Sequence, residues 1–405
     1  AANTSGHHNV AINHGALGAN TTGQYNTGIG SLALQSNTIG NNNIAIGVNT
    51  MQANVEGDDN IAIGNSALYS LAPADDTGSN LAIGTSAGYL LSTGIANTLM
   101  GQNSGSKLTT SGYNTFIGRC AGRYITGTTG SEGAYNVAIG DSAMGQGEDN
   151  PTAGADNIAF KSVAIGYKAL GGDVADADDG SSDLNWAYNV GIGYDAGGSL
   201  SCATDDQSES SYNTLVGHGV AAAMTTGANN TIIGALAGDA ITTGDYNTIV
   251  GSSAMTTANG DESWNTAIGW GALNVLDGGS RNIAVGGRAG DNLTTGTHNI
   301  CIGHNTEGSA VDVTYEIIIG NGVDTSNAFT GGGTETCRIG RASDYIECTF
   351  GTNASWGHTS DIRIKKDISD NELGLGFINE LRTVNYKKKA PSEYPKEFKG
   401  YDSNE

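Results

Sequence analysis

Ser360 and Lys365 stand five residues apart in the run Ser360-Asp361-Ile362-Arg363-Ile364-Lys365-Lys366-Asp367-Ile368. A serine hydroxyl becomes a nucleophile when a base takes its proton, and a lysine withdrawn from water loses its charge near neutral pH and can act as that base. Taken as residues alone, the run reads more plainly as a solvated basic patch. Asp176, Asp178 and Asp179 precede Gly180. Carboxylate oxygens so grouped suit Ca²⁺, although their spacing departs from the EF-hand loop, and no other cofactor is expected. The five cysteines, Cys120, Cys202, Cys301, Cys337 and Cys348, include no C-x-x-C pair. They read as small apolar packing residues, with Cys301 and Cys337 in strand positions.

The elements that must position these groups come from a repeat. An aliphatic residue followed by glycine, with asparagine three residues before the aliphatic, recurs eighteen times, at Asn13 (the one anchor that is not glycine), Gly30, Gly47, Gly64, Gly84, Gly101, Gly118, Gly140, Gly166, Gly193, Gly217, Gly234, Gly251, Gly269, Gly286, Gly303, Gly320 and Gly340. Ten of the seventeen gaps are 17 residues and the rest are longer. A fixed period that tolerates only additions indicates one unit stacked on itself, with loops growing from an edge.

Numbered from its anchor, each unit carries β-branched or aliphatic residues at minus three and minus one, as in Ile44/Ile46 and Ile61/Ile63. Period two with β-branching indicates a strand. Minus two is also apolar and mostly small, as in Ala45, Ala62 and Ala138, so both strand faces should be covered. The expectation is that the larger residues fill the coil while the small-residue face meets another copy of the chain. After the glycine, segments such as Ala67-Leu68 read as a second wall or a single helical turn, and Thr-Gly pairs such as Thr93-Gly94 as bends.

Asparagine at minus four forms a candidate structural ladder: Asn9, Asn26, Asn43, Asn60, Asn80, Asn97, Asn114, Asn136, Asn189, Asn213, Asn230, Asn247, Asn265, Asn282 and Asn299, with Ser162, Glu316 and Thr336 replacing it. Stacked amides bond from rung to rung and cap the bends; a glycan-reading ladder is the functional alternative. The aromatics that often precede it, Tyr25, Tyr113, Tyr135, Tyr188, Tyr212, Tyr246 and Trp264, should stack along the fibre axis.

Charge divides the chain. It carries 18 Lys and Arg against 41 Asp and Glu, a net charge of -23, yet residues 361–405 hold nine of each sign. The acidic body argues against nucleic acid as a partner, and no apolar run is long enough for membrane insertion. The chain starts at Ala1 without Met and stops at Glu405, so both ends read as cut. The expected organisation is a repeat shaft over 1–343 with enlarged loops in 119–216, a connector over 344–360, and a distinct segment over 361–405.

The N-x-A-I-G-x-x-A pattern, clearest in Asn60 to Ala67 and Asn136 to Ala143, resembles the β-roll of YadA-like trimeric autotransporter adhesin heads and related phage fibre shafts. The run from Ser360 to Ile368, with Leu375-Gly376-Phe377-Ile378-Asn379-Glu380-Leu381-Arg382 and Val384-Asn385-Tyr386-Lys387, resembles the start of the endosialidase-type intramolecular chaperone of phage tail fibres and tailspikes. Together with the repeat, the resemblances imply an all-β, repetitive β-solenoid with a 17-residue basic coil, forming an elongated homotrimeric fibre. The carboxyl-terminal segment would be the start of a small α/β or helical chaperone domain, which cuts itself off at the Ser360 to Asp361 bond. Ser360 is then the nucleophile, Lys365 its base and Asp361 the partner across the bond.

The implied function is a structural and adhesive tail fibre on the extracellular virion. Its partners would be two identical chains, a host cell-surface glycan or protein, and other virion tail proteins. Tyr124, Trp186 and Tyr188, on or beside the enlarged loops, are the receptor-patch candidates. A glycan-depolymerising tailspike and a bacterial trimeric surface adhesin are the alternatives.

Overall fold

The computed structural model describes residues 3–73, 78–127, 133–145, 157–172, 184–200, 211–258, 260, 262–323 and 327–350, with backbone alone at 157–160 and 184–186. The chain divides into two compact units, Ala1–His358 and Thr359–Glu405, and every described residue belongs to the first.

Each of the eighteen anchors lies just after, or within the end of, a short strand, from Val10–Ile12 and Thr27–Ile29 through Ile300–Ile302 to Ile317–Asn321 and Thr336–Arg341. These strands stack parallel and in register, so that every residue faces its counterpart one rung on: Ile44 faces Ile61, and Ile61 faces Leu81. Additions between anchors leave the register intact, and Val163 pairs with both Val137 and Val190. Among the described residues there is no α-helix. The result is a parallel β-solenoid. Its 19-stranded sheet ends when Asp344–Thr349 turns back antiparallel on Thr336–Arg341, so the sheet continues past residue 343.

The two strand faces are assigned the other way round from the sequence expectation. Minus two points into the coil: Ala45, Ala62, Ala82, Leu99, Phe116, Ala138, Ala164, Leu215, Ile232 and Ile249 are fully buried. Minus three and minus one point out, and Ile63, Ile139, Ile165 and Ile192 each remain 36% exposed. The small residues go inside because the coil is narrow and its volume is already taken from the other wall. Leu68, four residues after its anchor, is fully buried between the rungs of Ala62 and Ala82. Where minus two enlarges to Leu99, the same station shrinks to Gly88, whose added Cβ would lie 2.8 Å from both Leu68 and Leu99.

That other wall is neither a strand nor a helical turn. Its residues alternate into left-handed conformation, as at Ser66 (φ 55°) and Leu68 (φ 49°). The alternation aims successive N–H groups in opposite directions along the axis: Ser66 donates back to Val48 (2.9 Å) and Leu68 forward to Ala87 (2.9 Å). Left-handed leucine is intrinsically costly, and these inter-rung hydrogen bonds offset the cost. The anchor needs glycine for two reasons. Gly64 has φ 137°, and a Cβ there would lie 2.5 Å from the carbonyl oxygen of Gly84 on the next rung.

Candidate functional site

Four columns run along the outward face, set by residues at minus five, minus three, minus one and plus one. The strand alternation turns them out, while the asparagines at minus four turn in and, from Asn26 to Asn299, are at most 1% exposed. The Oδ1 of Asn26 accepts the backbone N–H of Asn43 at 3.0 Å and its Nδ2 at 3.2 Å, and the Nδ2 of Asn43 also donates to the Gly57 carbonyl at 2.7 Å. The pattern repeats at Asn60, Asn80, Asn97, Asn114, Asn136, Asn213, Asn230, Asn247, Asn282 and Asn299. At Asn265 and Asn189 the ladder is carried by backbone N–H donors, Asn265 to Asn247 and Asn189 to the Ser162 hydroxyl. Amides so enclosed are out of reach of a soluble glycan, which removes the glycan-reading alternative.

Minus five is also left-handed, as at Tyr113 (φ 61°) and Tyr188 (φ 59°), and this turns its side chain clear of the coil. Where successive rungs carry rings, they stack. Tyr113 lies 5.0 Å from Tyr135 at 2°, Tyr188 lies 4.9 Å from Tyr212 at 6°, and Tyr246 lies 4.2 Å from Trp264 at 16°. A second stack at plus one, Tyr167, Tyr194 and His218, has spacings of 5.2 and 5.0 Å. Stacking along the axis covers ring faces and presents ring edges outward, so these columns suit side-by-side packing better than a sugar platform.

Between the aromatic columns lies a stripe without charge. Minus one is aliphatic or Met in all eighteen rungs, and minus three is aliphatic, Thr or Cys. A chain with 41 acidic residues places none of them there. Charge occurs at the margins instead, as in the Arg119–Asp141 ion pair at plus one (2.9 Å).

Two of the receptor-patch candidates, Tyr124 and Tyr188, have described side chains. Tyr124 lies under the Arg123 guanidinium (5.1 Å), and Tyr188 is in the minus-five stack with the Lys161 ammonium 5.5 Å away. Trp186 belongs to Leu184–Ala187, which pairs parallel with Asn157–Phe160. These two strands are therefore neighbours along the axis. Ser360, Asp361 and Lys365, and the aspartates Asp176, Asp178 and Asp179, lie outside the described residues. Among the described residues no cluster of three His, Cys, Asp or Glu could hold a metal, and no helix is long and apolar enough to cross a membrane.

Two buried acids replace ladder or turn groups. Glu316 accepts the N–H groups of Ser309 (2.9 Å) and Gly333 (2.6 Å), and Glu262 those of Gly260 (3.0 Å) and Gly278 (2.7 Å). Burial, with the negative charge of Glu316 nearby, pushes the Cys301 thiol up to about 12. Burial also raises Glu307, with Asp291 adding to the effect and Arg288 opposing it. These groups are structural closures of the coil. The outward columns are the surface left to act on a partner. Of these, sequence reasoning treated minus three and minus one as interior; their odd positions, shared with the aromatics at minus five, were the signal that they lie on one outward face.

No protein-family model, curated protein or solved structure matches the chain.

Proposed function

We propose that this chain is the shaft of a homotrimeric, structural and adhesive fibre of the kind used in phage tail fibres, working outside the cell on a virion. The observation that carries this reading is the uncharged stripe of half-exposed aliphatic residues running the length of the ladder. Copies of a chain with a net charge of -23 repel one another, and that stripe is where they can approach without opposing carboxylates. At roughly 4.8 Å per rung, eighteen rungs give a shaft on the order of 85 Å. Uninterrupted apolar surface of that length is characteristic of an interaction face. Three copies, in preference to two, follow from the likeness of N-x-A-I-G-x-x-A to trimeric adhesin heads.

The motif around Ser360 supports a second step, in which a carboxyl-terminal chaperone assembles the three chains and then cleaves itself at Ser360–Asp361, with Lys365 as base. Host-surface binding would fall to the enlarged loops between Gly118 and Gly217. Sedimentation equilibrium tests the assembly: a mass of three chains is expected, and a folded, protease-resistant single subunit at low concentration overturns it. Mass spectrometry of the full-length protein beside Ser360→Ala and Lys365→Ala tests the cleavage. Equal lengths for all three would remove the peptidase assignment.

A further inference from the structure

At the closed end of the ladder two thiols face each other. In the hairpin formed by Thr336–Arg341 and Asp344–Thr349, Cys337 stands directly opposite Cys348. Both are free thiols, 6% and 7% exposed. The Phe350 N–H donates to the Glu335 carbonyl at 2.7 Å. Opposed residues in an antiparallel pair alternate between hydrogen-bonded and non-bonded stations, so Cys337 and Cys348, two steps along, occupy a bonded one. Their Cα atoms then stand about 5.5 Å apart, inside the ~4.4–6.8 Å that a disulfide spans.

Two further observations favour this pair. Directly opposed residues of an antiparallel pair place their side chains on one face, so the two sulfurs share a face of the hairpin. On the opposite face of the hairpin, the Arg338–Glu347 ion pair holds the register that keeps them opposed. The competing thiol is badly placed. Cys301 points into the coil at minus two and lies two rungs from Cys337, roughly 10 Å away at the rung spacing of parallel strands.

We propose that Cys337 and Cys348 are a redox pair that closes into an intrachain disulfide and staples the antiparallel strand onto the end of the ladder. The oxidant is a low-molecular-weight disulfide. One cysteine thiolate attacks it, forming a mixed disulfide and releasing the first small thiol. The second cysteine thiolate attacks the protein sulfur of that intermediate and releases the second. The protein gives up two protons and two electrons, and one small disulfide becomes two small thiols. The inference stands independently of fibre assembly, because both sulfurs belong to one hairpin.

The test is oxidation of the folded, full-length protein with oxidised glutathione at mildly alkaline pH, acid quenching, and blocking of remaining thiols with N-ethylmaleimide. Trypsin then cuts after Arg338 and Arg341, which lie between the two cysteines and place them in separate peptides. The expected product joins residues 289–338 to the peptide that starts at Ala342, carries N-ethylmaleimide on Cys301, otherwise weighs two hydrogens less than their sum, separates on reduction, and shows by fragmentation that the link is at Cys337. Amide exchange in 344–349 should slow on the order of a hundredfold in the oxidised form. Recovery of Cys337 and Cys348 both carrying N-ethylmaleimide or glutathione, linkage through Cys301, linkage of two copies of the same peptide, or unchanged exchange after oxidation would each overturn the proposal.

Discussion

The Phe116 ring occupies the space that a Cβ on Gly122 would need. The same exchange of volume recurs along the coil: Gly197 lies against Leu215 and Gly238 against Ile232 and Ile249, whereas beside Ala62 and Ala82 the station is filled by Leu68. The interior is therefore packed rung by rung as pairs of large and small residues drawn from opposite walls. Phe116→Ala should cost about 3–5 kcal/mol through the cavity it leaves. Gly122→Ala should cost about 1–3 kcal/mol by forcing the ring aside. In the double variant Phe116→Ala/Gly122→Leu, which restores the Ala62 and Leu68 arrangement, the penalties should fall well short of additive. Denaturant midpoints of the three proteins supply the cycle.

The asparagine ladder makes a sharper prediction about chemistry than about volume. The Oδ1 of Asn97 accepts the backbone N–H and the Nδ2 of Asn114, both at 3.1 Å, while its own Nδ2 donates to the Ser111 carbonyl at 3.0 Å. Asn97→Ala strands those buried groups, at about 1–3 kcal/mol for each one left without a partner. Asn97→Ser should lose less, because Ser162 holds the same station and its hydroxyl accepts the Asn189 N–H at 3.2 Å. Thermal unfolding of the two variants in parallel checks the order; equal losses would contradict it.

Much of this architecture could be read from the residues. All eighteen anchors are strand ends, and insertions as long as those flanking Val163 left the pairing unmoved. Alternation in a strand separates two faces without saying which is inside, and residue size misled here: Ile46 and Ile63 are large, yet the narrow coil takes Ala45 and Ala62. The left-handed run at Ser66 and Leu68 was hidden for a different reason. Leucine disfavours that conformation locally, and only hydrogen bonds to neighbouring rungs impose it. The Cys337–Cys348 opposition depends on a two-residue hairpin turn after Arg341 that no glycine or proline announces.

Cys301 sets an alkaline limit. Its thiol is pushed up to about 12 from an ordinary 9.0, so between those values the unfolded chain releases a proton that the folded chain keeps. The folded state then binds more protons, and stability must fall as pH rises through this window. The slope approaches about 1.4 kcal/mol per pH unit from this group. Well below pH 9.0 the thiol is protonated in both states and contributes no slope. Cys301→Ala should flatten the decline, measured as denaturant midpoints across the alkaline range; an unchanged slope would mean that another group dominates.

The outward stripe is the centre of the functional account, and disulfide trapping between copies tests it most directly. Ile192, at minus one and half-exposed, is replaced by cysteine in one variant, and Tyr69, in the stack with Tyr89 at plus five, in another. Under mild oxidation, Ile192→Cys should migrate as covalently linked chains on a non-reducing gel while Tyr69→Cys stays single. Linkage through Tyr69→Cys with none through Ile192→Cys would contradict the assignment of the charge-free face as the seam between chains.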